Sequence, residues 1–169
     1  MRREIAYTKD LDKVLKQLLK GAFLTVRNGN EVNTMTIGWA TFGVMWNKPV
    51  LMVAVRKSRY TYDLIDSAKD FTVSVPVNKD AKKELNYCGT YSGKDVDKIR
   101  ECNLRLRESN KVISPVIENC DYHYECKILF SQFMESLDTL DDSVKNKFYK
   151  DNDYHMLYFG EIVDSYVMD

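Results

Sequence analysis

A chain of 169 residues is most simply one domain, long enough to close a hydrophobic core without metal or disulfide support. Lysine plus arginine and aspartate plus glutamate balance at 25 each, which argues against a broad electrostatic footprint for nucleic acid and leaves any anion to be gripped locally. With 44% hydrophobic and 30% charged residues, and no apolar stretch near the roughly 20 residues needed to span a bilayer, the composition reads as a soluble globular protein and argues against a membrane location.

The amino end, Met1-Arg2-Arg3-Glu4-Ile5-Ala6, has no apolar region after it and does not resemble a secretory signal, so a cytoplasmic protein is expected. Leu11, Val14, Leu15, Leu18 and Leu19 repeat at helical spacing, with Asp10 or Thr8 available as a cap and Gly21 placed to end the helix in a left-handed turn. Residues 1–20 therefore read as a helical brace, and residues 21–166 as the body of the same domain. Ala22 to Val26 is a strand, the Asn28-Gly29 pair signals a hairpin, and a second strand begins at Glu31. The extended run from Val32 to Trp46 carries Gly38 and Gly43 as candidate bulges, and Asn47-Lys48-Pro49 turns the chain into the strand Val50 to Val55.

The next segment, Arg56-Lys57-Ser58-Arg59-Tyr60-Thr61, packs three cations and two small hydroxyls into one strand-to-helix junction. N–H groups opening a helix lack intrahelical partners and sit at the positive end of its dipole, so an anion there gains hydrogen bonds and field together. A solvated turn with an N-cap is the competing reading. Thr61 to Ala68 is a short helix, Phe71 to Val75 a strand, Lys79 to Leu85 a second short helix, Asn86 to Gly93 a loop and Val96 to Glu101 another helical segment. Beyond Pro115 the texture is strand again: Val116 to Glu118, then Tyr122 to Met134, where Tyr122, Tyr124 and Cys126 alternate with His123, Glu125 and Lys127. A short helix from Asp141 to Tyr149 and a final strand from Met156 to Tyr166 follow. Strands dominate, so the expected fold class is mainly β, an antiparallel barrel, closed or split, with short helices inserted.

Cys88, Cys102, Cys120 and Cys126 show no C-x-x-C spacing and have only His123 and His155 for company, so no metal site is expected and the thiols are read as reduced. Neither a G-x-G-x-x-G nor a G-x-x-x-x-G-K element is present, so no Rossmann site or P-loop is supported.

Six segments carry a resemblance. They are N-x-M-T-x-G-W at Asn33 to Trp39, R-x-S-R-Y-T at Arg56 to Thr61, F-x-V-x-x-P at Phe71 to Pro76, C-G-x-x-S-G-x-x-x-D-K at Cys88 to Lys98, the strand from Glu118 to Cys126, and H-x-x-x-x-G-E-I-V at His155 to Val163. In this order they resemble the flavin reductase-like, or flavoredoxin-like, family with its FMN-binding split barrel of antiparallel Greek-key type. The resemblance implies that Asn33, Met35, Thr36 and Ile37 border the isoalloxazine ring, largely through main-chain groups. It implies that Arg56, Lys57, Ser58, Arg59 and Thr61 hold the ribityl phosphate, and that Cys88, Gly89, Ser92 and Lys94 lie along the other side of the cofactor. It also implies a homodimer with the flavin near the interface.

Beside this stand the plainer readings. Trp39 reads as a core side chain, His123 as structural, Cys88 as a small apolar residue, and His155 either as a substrate-side residue or as a packed strand histidine. The resulting expectation is an FMN-dependent oxidoreductase using NADH or NADPH. A flavoredoxin-type carrier fed by a redox partner protein is the alternative, and a split-barrel module for pyridoxal phosphate or heme a third.

Overall fold

The computed structural model describes residues 1–134 and 140–168. The hairpin signal at Asn28-Gly29 is realised with a shift of one residue: β2 (Ala22–Asn28) and β3 (Glu31–Ile37) pair antiparallel from Ala22↔Ile37 to Asn28↔Glu31. The two-residue loop is therefore Gly29-Asn30, with Gly29 at φ 60° and Asn30 at negative φ, the pattern of a II′ turn. The second hairpin joins β4 (Ala40–Met45) to β5 (Lys48–Arg56) through Trp46-Asn47 at φ 53° and 55°, so Lys48 and Pro49 belong to the strand and not to the turn. Two consecutive left-handed residues make a I′ turn, which matches the strand twist.

The remaining strands are β6 (Asp70–Val75), β9 (Tyr122–Phe133) and β10 (His155–Met168), with the short β7 (Leu106–Arg107) and β8 (Val116–Ile117) paired to one another. The main sheet runs β3-β2-β6-β9-β10-β5-β4, every pair antiparallel. Its two end strands, β3 and β4, are consecutive in the chain and separated only by Gly38-Trp39. A sheet whose first and last strands share a two-residue link cannot lie flat; it curls until its ends meet, and the backbone N–H of Ala54 bonds to the Trp39 carbonyl at 3.3 Å, carrying the β4–β5 ladder one rung into the link. The fold is thus mainly β, an antiparallel split barrel, as expected.

The interior of the barrel is filled by Leu24, Met35, Leu51, Val53, Phe71, Val73, Tyr124 and Tyr158, closed at one end by Val14 and Leu18 of α1 (Leu11–Leu18). β9 departs from a simple inside-outside alternation, because all of Tyr122 to Cys126 is buried. Its second face, carrying His123 and Glu125, lies under the segment around Asn110 to Ile117: the Glu125 carboxylate accepts the Asn110 and Lys111 N–H groups at 2.8 and 2.6 Å.

Three expectations need correction. The amino-terminal segment is not wholly a helical brace, since β1 (Arg2–Glu4) pairs with the far end of β10, and β10 runs on to Met168. The loop expected over residues 86–93 is largely helix: α3 (Lys82–Thr90) runs through it. Trp39 is not a core residue but 41% exposed, because the chain leaves the sheet edge at this crossing. The other helices are α2 (Tyr60–Ile65), α4 (Lys98–Glu101) and α5 (Asp142–Phe148), and no helix among the described residues is long and apolar enough to cross a membrane.

Candidate functional site

The curl that brings β3 to β4 leaves a slot of about 150 Å³ at the join, lined by Met35, Thr36 and Ile37 of β3, by Gly38 and Trp39, and by Arg56, Arg59 and His155. β3 is an edge strand, so alternate backbone groups face away from its only neighbour, β2. The Thr34 carbonyl points outward and takes the Lys98 Nζ at 3.1 Å. Thr36 follows two residues on and turns its own N–H and C=O to the same side, where a flat heterocycle with donor and acceptor edges could pair with them. The Thr36 hydroxyl is spent on the Leu85 carbonyl at 2.6 Å, which fixes the strand against α3. Gly21, at φ 118°, lets that contact close, since a Cβ there would stand 2.9 Å from Thr36 Cγ2.

His155 forms one wall. Its Nδ1 lies 2.8 Å from the Tyr149 hydroxyl and its ring packs on Trp39 at 4.7 Å between centroids, while Nε2 has no protein partner among the described residues. Burial, reinforced by the Arg56 charge, pushes its pKa down to about 4, so the imidazole is neutral at physiological pH. Tyr149, itself buried, has its phenol pushed up by desolvation and stays protonated beside it.

At the expected phosphate junction the side chains already have partners. Arg56 donates to the Asp153 and Phe148 carbonyls, both at 2.7 Å, and its Nη1 stands 3.6 Å from the Asp153 carboxylate. The Ser58 hydroxyl donates to Asp153 Oδ2 at 2.5 Å and its backbone N–H approaches Oδ1 at 3.4 Å. An internal carboxylate thus sits among Arg56 and Ser58 in the manner of a phosphate oxygen pair. Arg59 donates to the Gly89 carbonyl at 2.8 Å through one nitrogen and has further N–H groups at the slot. Lys57 turns away and lies over the Phe133 ring at 3.6 Å, outside the slot. Thr61 is buried and its hydroxyl accepts from Asn33 Nδ2 at 2.8 Å.

Asn33 and Lys94 belong to a neighbouring cleft of about 520 Å³ rather than to the slot. Lys94 is paired with Asp63 at 2.7 Å, and its backbone N–H bonds to the Ser92 hydroxyl at 3.2 Å. Gly93 allows the loop to approach β3, since a Cβ would collide with Asn33 Oδ1 and stand 2.8 Å from Tyr60. Cys88 is fully buried and burial pushes its thiol up to about 12, so it is a packing residue and no nucleophile.

Two residues that matter here had no role assigned from the sequence, although Lys98 closes one of the six motifs. Lys98 is buried and donates to the Thr34 and Cys88 carbonyls at 3.1 and 3.0 Å, with burial lowering its pKa. Together with Arg59 it takes consecutive carbonyls at the C-terminal end of α3, where the helix leaves its acceptors unpaired and its dipole is negative. Asp153 is the other, and its role follows only from the return of β10 beside β5, which sets His155 opposite Arg56.

Residues 21–169 match the family model described as a flavin reductase like domain. An uncharacterized protein from Archaeoglobus fulgidus is 34% identical over 107 residues, 63% of this chain, and the match spans 59% of that curated relative's length. Flavoredoxin from Methanosarcina acetivorans superposes with a TM-score of 0.68 at 24% identity, covering 88% of this chain and 68% of that one. An FMN-binding protein from Thermus thermophilus gives 0.67 at 23% identity, with coverages of 86% and 68%. An NADH:FAD oxidoreductase from Streptomyces globisporus gives 0.65 at 19% identity, with 98% and 87%. At these identities the likeness is one of fold.

Proposed function

This chain belongs to the flavin reductase-like family, and from that membership we propose that it binds FMN and acts as an oxidoreductase in a reducing, cytoplasmic compartment, drawing electrons from NADH or NADPH for a small-molecule or protein acceptor. The observation that carries this reading is the outward backbone of Thr36 on the edge strand, set between Arg59 and His155 in a slot open to solvent. When bound, FMN supplies the redox chemistry by accepting a hydride at N5 and releasing electrons to the acceptor.

The protein's part is placement. The Thr36 N–H and C=O offer a donor and an acceptor to the ring edge, and Met35 and Ile37 give the slot apolar walls. Arg59, anchored through Gly89, presents its remaining N–H groups to an anionic group on the ligand. His155, held neutral and oriented by Tyr149, keeps Nε2 available to a ligand over the slot without adding a charge. No side-chain acid or base is needed for hydride delivery, which suits a site without a carboxylate pair.

The protein acts in this reading as a homodimer, with the flavin near the interface. The support is an exposed apolar face on the β4–β5 hairpin and β9, where Val44 is 66%, Trp46 54% and Phe130 44% exposed.

Purified protein titrated with FMN tests the proposal. Arg59→Ala is expected to raise the Kd about ten- to a hundredfold, since a hydrogen bond to a charged group contributes about 1.5–3 kcal/mol. Unchanged affinity would place the phosphate elsewhere. Anaerobic mixing of the FMN-loaded protein with NADH and NADPH then separates the two modes: bleaching marks a reductase, and persistent yellow colour with both donors marks a carrier fed by another protein.

A further inference from the structure

We propose that a cleft along α3 holds the diphosphate of a dinucleotide whose flat ring reaches the slot at Thr36, an inference that rests on reading the slot as the flavin site. The slot alone, at about 150 Å³, is too small for a dinucleotide, but Thr36 also borders a cleft of about 790 Å³, within the size range of ligand sites. This cleft follows one face of α3 from Gly89 at the slot end to Lys82, about 10 Å along the helix. A ligand whose ring lay at Thr36 would have this path open to its ribose and phosphates.

The charge of the cleft is the deciding feature. Lys20, Lys82 and Lys83 line it, no carboxylate does, and none of the three has an acidic partner within 4 Å among the described residues. Lys82 and Lys83 are the first two residues of α3, where a cation opposes the helix dipole and contributes nothing to the helix itself. Lys20 arrives from the end of α1, so two separate elements converge on the same space with the same sign. Asn86 supplies an amide between them on the helix face. A diphosphate answers all three lysines at once, whereas FMN, with a single phosphate, does not need a second cationic site beyond Arg59.

The nicotinamide dinucleotide that delivers the hydride carries this group; FAD does not suit the cleft, because its diphosphate starts from the flavin phosphate already assigned to Arg59. Titration of FMN-loaded protein with ADP-ribose, which has the diphosphate but no reducible ring, tests this assignment. Wild-type protein is expected to bind it with an affinity that falls as salt is added, and K20E/K82E/K83E is expected to lose roughly tenfold or more while its FMN affinity stays within about twofold. The neutral variant K82Q/K83Q, expected to lose less, guards against a folding defect in the triple charge reversal.

The proposal is overturned if FMN-loaded wild-type protein does not bind ADP-ribose, or if the charge variants bind it as tightly as wild type does. Failure of the wild-type protein to bind any flavin would overturn the flavin reading instead; ADP-ribose titration of flavin-free protein still decides the cleft.

Discussion

Burial pushes the His123 imidazole down to about 3 and His155 down to about 4, but only His155 borders open space. His123 sits in a closed relay: the Ile117 N–H donates to Ser74 Oγ, the Ser74 hydroxyl then faces Nδ1 at 3.1 Å, and Nε2 stands 3.2 Å from the Cys120 carbonyl. A carbonyl only accepts, so Nε2 carries the proton and the ring is a neutral tautomer. In the unfolded chain both histidines titrate near 6.5, so below that pH the unfolded state takes up protons that the folded state refuses. The stability they permit is complete above pH 6.5 and is lost as the pH falls toward the folded values. Melting temperatures are expected to decline between about pH 6.5 and 4.5, before the carboxylates titrate. His123→Asn is expected to melt lower at neutral pH yet to show a shallower acid limb; an unchanged limb would mean that His123 is not the titrating group. Of this chemistry the sequence carried His155 as a candidate and His123 as structural, but not the tautomer, which depends on Ser74 reaching across from β6.

The hairpins were legible because their signals are local: Gly29 and Asn47 lie within two residues of the turns they make. The length of α3 was not. Its C-terminal carbonyls are satisfied by Arg59, from the β5–α2 junction, and by Lys98, from the start of α4, and neither partner is visible in the window 82–90. The three-residue β1 has too little pattern of its own and exists because β10 offers it an edge. Gly160 shows the same dependence on tertiary context. It lies at a register shift between β9 and β10, and a Cβ there would come within 2.7 Å of both Cys126 Cβ and the Phe71 ring. Gly160→Ala is therefore expected to destabilise the protein by about 1–3 kcal/mol, measured by urea denaturation. A neutral result would show that Phe71 can move aside within this core.

At the scale of the whole molecule, the split barrel was legible in the order of the six segments, and the slot in the β3 segment and in Arg59 and His155. The division of the junction was not, because Asp153 lies 95 residues beyond Ser58 in the chain. The proposed homodimer would bury the exposed face with Trp46 and Phe130, whose rings stand 6.3 Å apart. Trp46→Lys with Phe130→Lys is expected to convert a dimer to a monomer in light scattering, with the melting temperature of the separated subunit as a control. A wild-type protein that is already monomeric would refute the dimer. Taken with the proposed FMN site, the Asp153 carboxylate finally makes cofactor loading an exchange: a tethered rival anion occupies Ser58 and Arg56 and would have to swing out before a phosphoryl group could take its seat. Removing its charge in Asp153→Asn should tighten FMN by a few-fold, roughly 0.5–1 kcal/mol for a half-buried ionic contact, in an equilibrium titration. Looser binding would mean that this residue supports the cofactor instead. If the rivalry holds, the strand-leading segment 149–154 becomes the molecule's ejection lever, and limited proteolysis there should quicken once the yellow ligand is aboard.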